Sequence, residues 1–113
     1  MKARVHFTEQ LRGSLNPPSS KNYTTRYLLV AALAEGESVI HYPARSQDAD
    51  VLRRCLVDLG AGIREEIDDD GGRHLHVRGF GGRPTNPGVL DVGNAGAVAR
   101  VLMGVAALLP QLR

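Results

Sequence analysis

The stretch from Asp91 to Leu109, DVGNAGAVARVLMGVAALL, constrains this chain more than any other. It opens on a Gly-Asn-Ala-Gly turn and continues as an apolar run in which Arg100 is the one charge. A helix this apolar needs a covering layer on most of its circumference. A turn of small residues feeding a helix also presents unpaired backbone N–H groups and the positive end of the helix dipole. Gly93, Asn94 and Gly96 would therefore let a phosphate or carboxylate approach the backbone closely. Gly and Asn punctuate turns everywhere, so the turn alone is a weak sign of a ligand. A second stretch strengthens it: Ser19 to Arg26, SSKNYTTR, has the same design with two cations added, Lys21 and Arg26.

Composition narrows the class. At 113 residues the chain is one domain or less. It is 42% hydrophobic and 23% charged, which reads as globular. Trp is absent and aromatics are few, so Leu, Val, Ile and Ala must build the core. A net charge of +2, with no Lys/Arg cluster interleaved with aromatics, argues against nucleic acid. Glu65, Glu66, Asp68, Asp69 and Asp70 crowd one turn, expected to be a solvated hairpin tip. The single cysteine, Cys55, excludes an internal disulfide, fits a reducing compartment and reads as a small core residue. The N-terminus lacks the apolar segment of a secretory leader. Val101 to Leu109 is about half the length of a membrane-spanning helix. Together these predict a cytoplasmic protein with no membrane partner.

Along the chain, Ala3–Thr8 and Gly13–Asn16 read as short strands, the second broken by Pro17-Pro18. Ser19-Ser20 supply hydroxyls for a helix cap. Tyr23–Glu35 reads as a helix apolar around most of its circumference, stopped by Gly36. Ser38–Tyr42 reads as a strand, and Ala49–Leu59 as an amphipathic helix with Val51, Leu52, Cys55, Leu56 and Leu59 inward. Ile63–Ile67 and His74–Val77 form a hairpin, Gly79–Pro87 a loop and Val89–Val92 a strand before the last helix. His74 and His76 share one strand face, but no third ligand supports a metal, so none is expected. The second pass begins like the first: extended segment, polar turn, buried helix. A repeated βαβαββ unit that stops partway through its second copy would explain this. Such an arrangement predicts a piece of a longer protein, or one that pairs with another chain.

With these residues in place the chain resembles the enolpyruvyl transferase family, most closely its 5-enolpyruvylshikimate-3-phosphate synthases. The family's first signature, Gly-Ser-Lys-Ser-x-Ser-Asn-Arg before a helix ending Ala-Glu-Gly, is matched by Ser20-Lys21-Asn22-Tyr23-Thr24-Thr25-Arg26 and Ala34-Glu35-Gly36. Its Ser-Asp-Asp is matched by Ser46-Gln47-Asp48, and its Leu-Gly-Ala by Leu59-Gly60-Ala61. Its second signature, Gly-Asn-Ala-Gly-Thr-x-x-Arg-Pro, is matched by Gly93-Asn94-Ala95-Gly96-Ala97-Val98-Ala99-Arg100-Val101. Order and spacing agree through the whole chain, although the family's full protein is several times longer. Asn22 replaces the usual serine, Ala97 the threonine and Val101 the proline.

The resemblance implies an α/β fold: a βαβαββ unit plus the start of a second, part of an inside-out α/β barrel. On it, residues 1–17 are a strand segment belonging to the far domain, 18–82 the first unit and 83–113 the start of the next. It implies transfer of the enolpyruvyl group of phosphoenolpyruvate to shikimate 3-phosphate, in aromatic amino-acid biosynthesis, without metal or organic cofactor. Lys21 would be catalytic, contacting both substrates. Asn22 and Arg26 would bind shikimate 3-phosphate, and Asn94, Gly96 and Ala97 would line the phosphoenolpyruvate side. The general acid and base would lie in the remainder, so these residues alone are expected to be inactive. Two alternatives stand beside this reading. The Lys21-Asn22 pair matches the sister UDP-N-acetylglucosamine enolpyruvyl transferases, and the same helix starts could serve a non-catalytic anion-binding or assembly fragment. Uncovered apolar helix faces predict self-association of the isolated piece.

Overall fold

The computed structural model describes residues 1–109. It is an α/β unit of three helices and three strands among those residues: α1 (Lys21–Leu33), β1 (Glu37–His41), α2 (Gln47–Asp58), β2 (Gly62–Ile67), β3 (Arg73–Arg78) and α3 (Gly96–Ala106). The sheet has the order β1-β3-β2, with the last strand in the middle and both pairings antiparallel.

Local chemistry explains the elements. Pro17-Pro18 keeps helix from forming earlier, and Ser20 then caps α1, its Oγ accepting from the Tyr23 amide at 3.3 Å. The cap falls on Ser20, so α1 begins at Lys21, two residues before the sequence-based start. Ser46 caps α2 in the same way, accepting from the Ala49 amide at 3.1 Å. Asp48 and Asp50 in the first turn of α2 favour the positive end of its dipole. Between β2 and β3, the Asp68 carboxylate accepts from the Asp70 amide at 3.1 Å and from the Gly72 amide, closing the turn.

One face of the sheet carries the core. Ile40, Leu75 and Val77 meet Leu28, Ala32, Leu52 and Leu56 from α1 and α2, all of them buried. The segment after β3 returns under the end of α1, where Phe80 N donates to Ala32 O at 2.8 Å and Gly81 N to Ala34 O at 3.0 Å. These bonds satisfy carbonyls that a helix end leaves open. Gly79 is required there, because a Cβ would run into the Ala31 and Ala34 carbonyls. α3 then packs on α2, adding Val98, Leu102 and Val105 to the same core. Arg54 Nη2 and Cys55 Sγ both donate to Asp91 O, at 2.9 and 3.5 Å, and hold the entry to α3.

Several expectations are corrected. Ala3–Thr8, Gly13–Asn16 and Val89–Val92 form no strand in the described structure, since no neighbouring strand lies alongside to pair their backbone. The unit between residues 21 and 78 is thus observed as αβαββ, and residues 1–20 are exposed. The end of the apolar segment, from Pro110 to Arg113, lies outside the described residues. The acidic stretch is exposed at Glu66, Asp69 and Asp70 as expected, while Glu65, on β2, is also bridged by Arg73 at 2.8 Å and Arg53 at 3.2 Å on the helix side of the sheet. α1, expected to be enclosed, leaves Tyr23, Tyr27 and Val30 exposed among the described residues.

Candidate functional site

The first turns of all three helices meet at one groove of about 230 Å³. α1 contributes Lys21, Asn22, Thr25, Arg26 and Leu29; α2 contributes Asp48 and Leu52; α3 contributes Ala97, Val98 and Val101. The volume is below the roughly 300–1,000 Å³ of pockets for drug-sized molecules, and is of the scale of a small metabolite. Leu29, Leu52, Val98 and Val101 make an apolar wall, and the polar groups gather at the helix starts.

The side chains are positioned from below. Thr24, buried at 4% exposure, donates from Oγ1 to Ser20 O at 2.8 Å and accepts from the Ala44 amide at 2.9 Å. That one hydroxyl ties the start of α1 to the loop entering α2, which brings Lys21 beside Asp48. Lys21 Nζ and Asp48 Oδ2 are 2.9 Å apart. Thr25 Oγ1 lies 3.2 Å from Lys21 O and 3.1 Å from Asn22 O, and Arg26 Nη1 donates to Asn22 O at 3.0 Å. Across the groove, α3 starts at the N-cap Ala95, which makes no side-chain capping bond. The first amides of α3 therefore keep their donors without a side-chain acceptor, and the positive end of its dipole is uncovered.

Of the residues singled out from the sequence, Lys21, Asn22, Arg26 and Ala97 come together in the groove. Asn94, in the turn before the Ala95 cap, and Gly96, the first residue of α3, are exposed and do not line it. Arg100 is exposed and is also outside the lining. Asp48 and Thr25 are groove residues that sequence reasoning did not select. Asp48 looks like an ordinary first-turn acid, and the signal available was its place in Ser46-Gln47-Asp48, directly after a cap.

Other titratable groups lie elsewhere. On the outer face of the sheet, His74 Nε2 is 2.9 Å from Asp68 Oδ2 and His76 pairs with Glu66. The His74 bond and the Gly72 amide hold the Asp68 carboxyl below the usual carboxylate range. The Arg73 guanidinium, helped by Arg53, does the same for Glu65. Burial pushes the Cys55 thiol up, as fits a core cysteine. No group of three or more His, Cys, Asp or Glu suited to a metal occurs among the described residues. No helix among them is long and apolar enough to cross a membrane.

An α/β unit whose helix starts bring two cations to a small groove carries donors of the kind that suit a phosphate or carboxylate. A family model described as EPSP synthase (3-phosphoshikimate 1-carboxyvinyltransferase) matches residues 5–112, and the chain belongs to that family. A 3-phosphoshikimate 1-carboxyvinyltransferase of Deinococcus radiodurans is 57% identical over 104 residues, covering 92% of this chain and 23% of the relative. The enzyme of that name from Thermus thermophilus is 46% identical over 98 residues, covering 86% and 22%. Among solved structures, an EPSP synthase from Acinetobacter baumannii superposes with a TM-score of 0.69 at 25% identity, covering 82% of this chain and 21% of that one. The chain thus spans less than a quarter of the length of these relatives.

Proposed function

We propose that this chain is the N-terminal, substrate-holding part of a 3-phosphoshikimate 1-carboxyvinyltransferase. In that reaction the 5-hydroxyl oxygen of shikimate 3-phosphate loses its proton and bonds to C2 of phosphoenolpyruvate as C3 takes up a proton; C3 then gives up a proton and the C2–O bond to phosphate breaks, re-forming the double bond and releasing phosphate. Lys21 contacts phosphoenolpyruvate and its acceptor. Asn22 and Arg26 take shikimate 3-phosphate, and Asn94, Gly96 and Ala97 flank the phosphoenolpyruvate side. Residues 18–82 correspond to the first repeat of the family fold, here αβαββ without its leading strand, and 83–113 to the start of the next, with residues 1–17 belonging to a further domain. The protein works in the cytoplasm.

The observation that carries this reading is the meeting of three helix starts with Lys21 and Arg26 at one groove. Both substrates are anions, and each donor type suits one part of them. A planar guanidinium can give a carboxylate two parallel hydrogen bonds, and a compact ammonium suits a phosphate oxygen. Holding two reactants in good geometry lowers a barrier by roughly 7–11 kcal/mol. The general acid and base come from the part of the enzyme beyond this chain, so the chain alone releases no phosphate.

Calorimetric titration of shikimate 3-phosphate tests the reading. Lys21→Ala and Arg26→Ala should each weaken binding by about 1.5–3 kcal/mol, typical of a charged hydrogen bond. Affinity unchanged by both would overturn it. The Lys21-Asn22 pair favours a second reading, a UDP-N-acetylglucosamine enolpyruvyl transferase; tighter binding of UDP-N-acetylglucosamine in the same titration would establish that instead. If both ligands fail while inorganic phosphate binds, the chain is a plain anion-binding module. The exposed Tyr23, Tyr27, Val30 and Val39 also favour self-association of the isolated chain, which a clean monomer on size-exclusion chromatography would refute.

A further inference from the structure

We infer that Asp48 is the positioning residue for Lys21: its carboxylate holds the ammonium at the groove, so that the cation is in place before an anion arrives. The inference rests on reading the groove as the shikimate 3-phosphate and phosphoenolpyruvate site. Lysine carries its charge on a flexible four-carbon stem, and the Lys21 side chain is 54% exposed. Asp48 is the more fixed partner. Its side chain is 25% exposed, it stands in the first turn of α2, and that turn is capped by Ser46. The Thr24–Ala44 hydrogen bond further ties the approach to α2 to the start of α1. The 2.9 Å contact uses one of the three ammonium donors and leaves two for ligand oxygens. Arg26 lines the same groove, so the site remains net positive with the pair formed.

An exposed ion pair of no functional consequence would also look like this, because such pairs contribute little on their own. The two accounts differ in sign. If Asp48 acts only as a nearby negative charge, removing it strengthens anion binding by Coulomb's law. If it positions Lys21, removing it weakens anion binding despite the gain in positive charge.

The test is a shikimate 3-phosphate titration of the 113-residue chain as wild type, Asp48→Asn, Asp48→Glu, Lys21→Met and the double variant Asp48→Asn/Lys21→Met. It is paired with NMR observation of the Lys21 ammonium in the ligand-free protein, and amide spectra verify that each variant keeps the fold. Asp48→Asn should raise Kd about tenfold, at the low end for a charged hydrogen bond. Asp48→Glu should recover part of that loss. In the Lys21→Met background Asp48→Asn should change nothing further, the signature of a residue acting through its partner. The free Lys21 ammonium should exchange with water faster in Asp48→Asn. Equal or tighter binding by Asp48→Asn, an additive double variant, or an unchanged Lys21 signal overturns the inference. If wild type binds and Lys21→Met weakens it while Asp48→Asn does not, this inference alone falls. If wild type does not bind shikimate 3-phosphate, the functional reading falls and takes the inference with it.

Discussion

Lys21 and Ala97 face one groove, yet the helices that carry them begin in opposite ways. α1 starts with a serine cap, two cations within its first two turns and a buried threonine that fastens it to the next loop. α3 starts with Ala95, no side-chain cap and no acidic residue in its first turn. On the proposed function, the contrast amounts to two ways of receiving an anion. Charge on a long side chain is useful only where something holds the chain still, so α1 is braced. Backbone N–H groups are already rigid, so α3 needs only small residues that allow close approach. The support differs too: α1 packs on the sheet and on α2, and α3 packs on α2 alone among the described elements.

Four measurements test this contrast between α1 and α3. The largest effect should come from Leu28→Ala, which empties a fully buried position under α1 and should cost about 2–5 kcal/mol in denaturant unfolding. A cost below about 1 kcal/mol would mean α1 is not the braced element. Removing the α1 cap with Ser20→Ala should cost about 1 kcal/mol, read as a lower Tm. Giving α3 the cap it lacks, with Ala95→Ser, should do the reverse: a gain of less than about 1 kcal/mol, together with weaker anion binding because the new hydroxyl occupies an amide. If that variant binds phosphate as well as wild type, the bare amides of α3 are not the receiving groups.

The smallest effect is a control in the β2–β3 hairpin, away from the groove. Asp68 and Glu65 are held below the ordinary carboxylate range, Asp68 chiefly by His74 and Glu65 chiefly by Arg73. A depressed carboxylate stabilises the fold fully above its unfolded pKa, about 4, and loses that contribution as pH falls through the lower folded value. Acidification below about pH 4 should therefore loosen the β2–β3 hairpin, seen as faster amide exchange there, and Asp68→Asn should flatten the response. Amides at the start of α1 losing protection first would contradict this.

Much of the unit is legible in the chain because its signals are local. Ser20 and Ser46 announce helix starts, Gly36 and Gly60 mark the stops, and Asp68 to Gly72 closes a hairpin within five residues. The failures share one cause. Ala3–Thr8 and Val89–Val92 have strand-like residues, but a strand exists only where another lies beside it, and residue type does not supply the neighbour. Asn94 belongs to the same motif as Ala97, yet the groove takes Ala97 and leaves Asn94 in the turn.

Order and spacing of the two signatures were enough to determine kinship, the helix beginnings and the presence of Lys21 and Arg26 at one of them. Tertiary structure alone decided that Lys21 would meet Asp48, that Glu65 would be clasped by Arg53 and Arg73, and that three helix starts would share one groove. Caps and turns are interactions between residues a few positions apart, so the chain writes them directly. Ion pairs across elements depend on how layers pack, and that is fixed by the summed burial of many side chains rather than by any stretch read on its own.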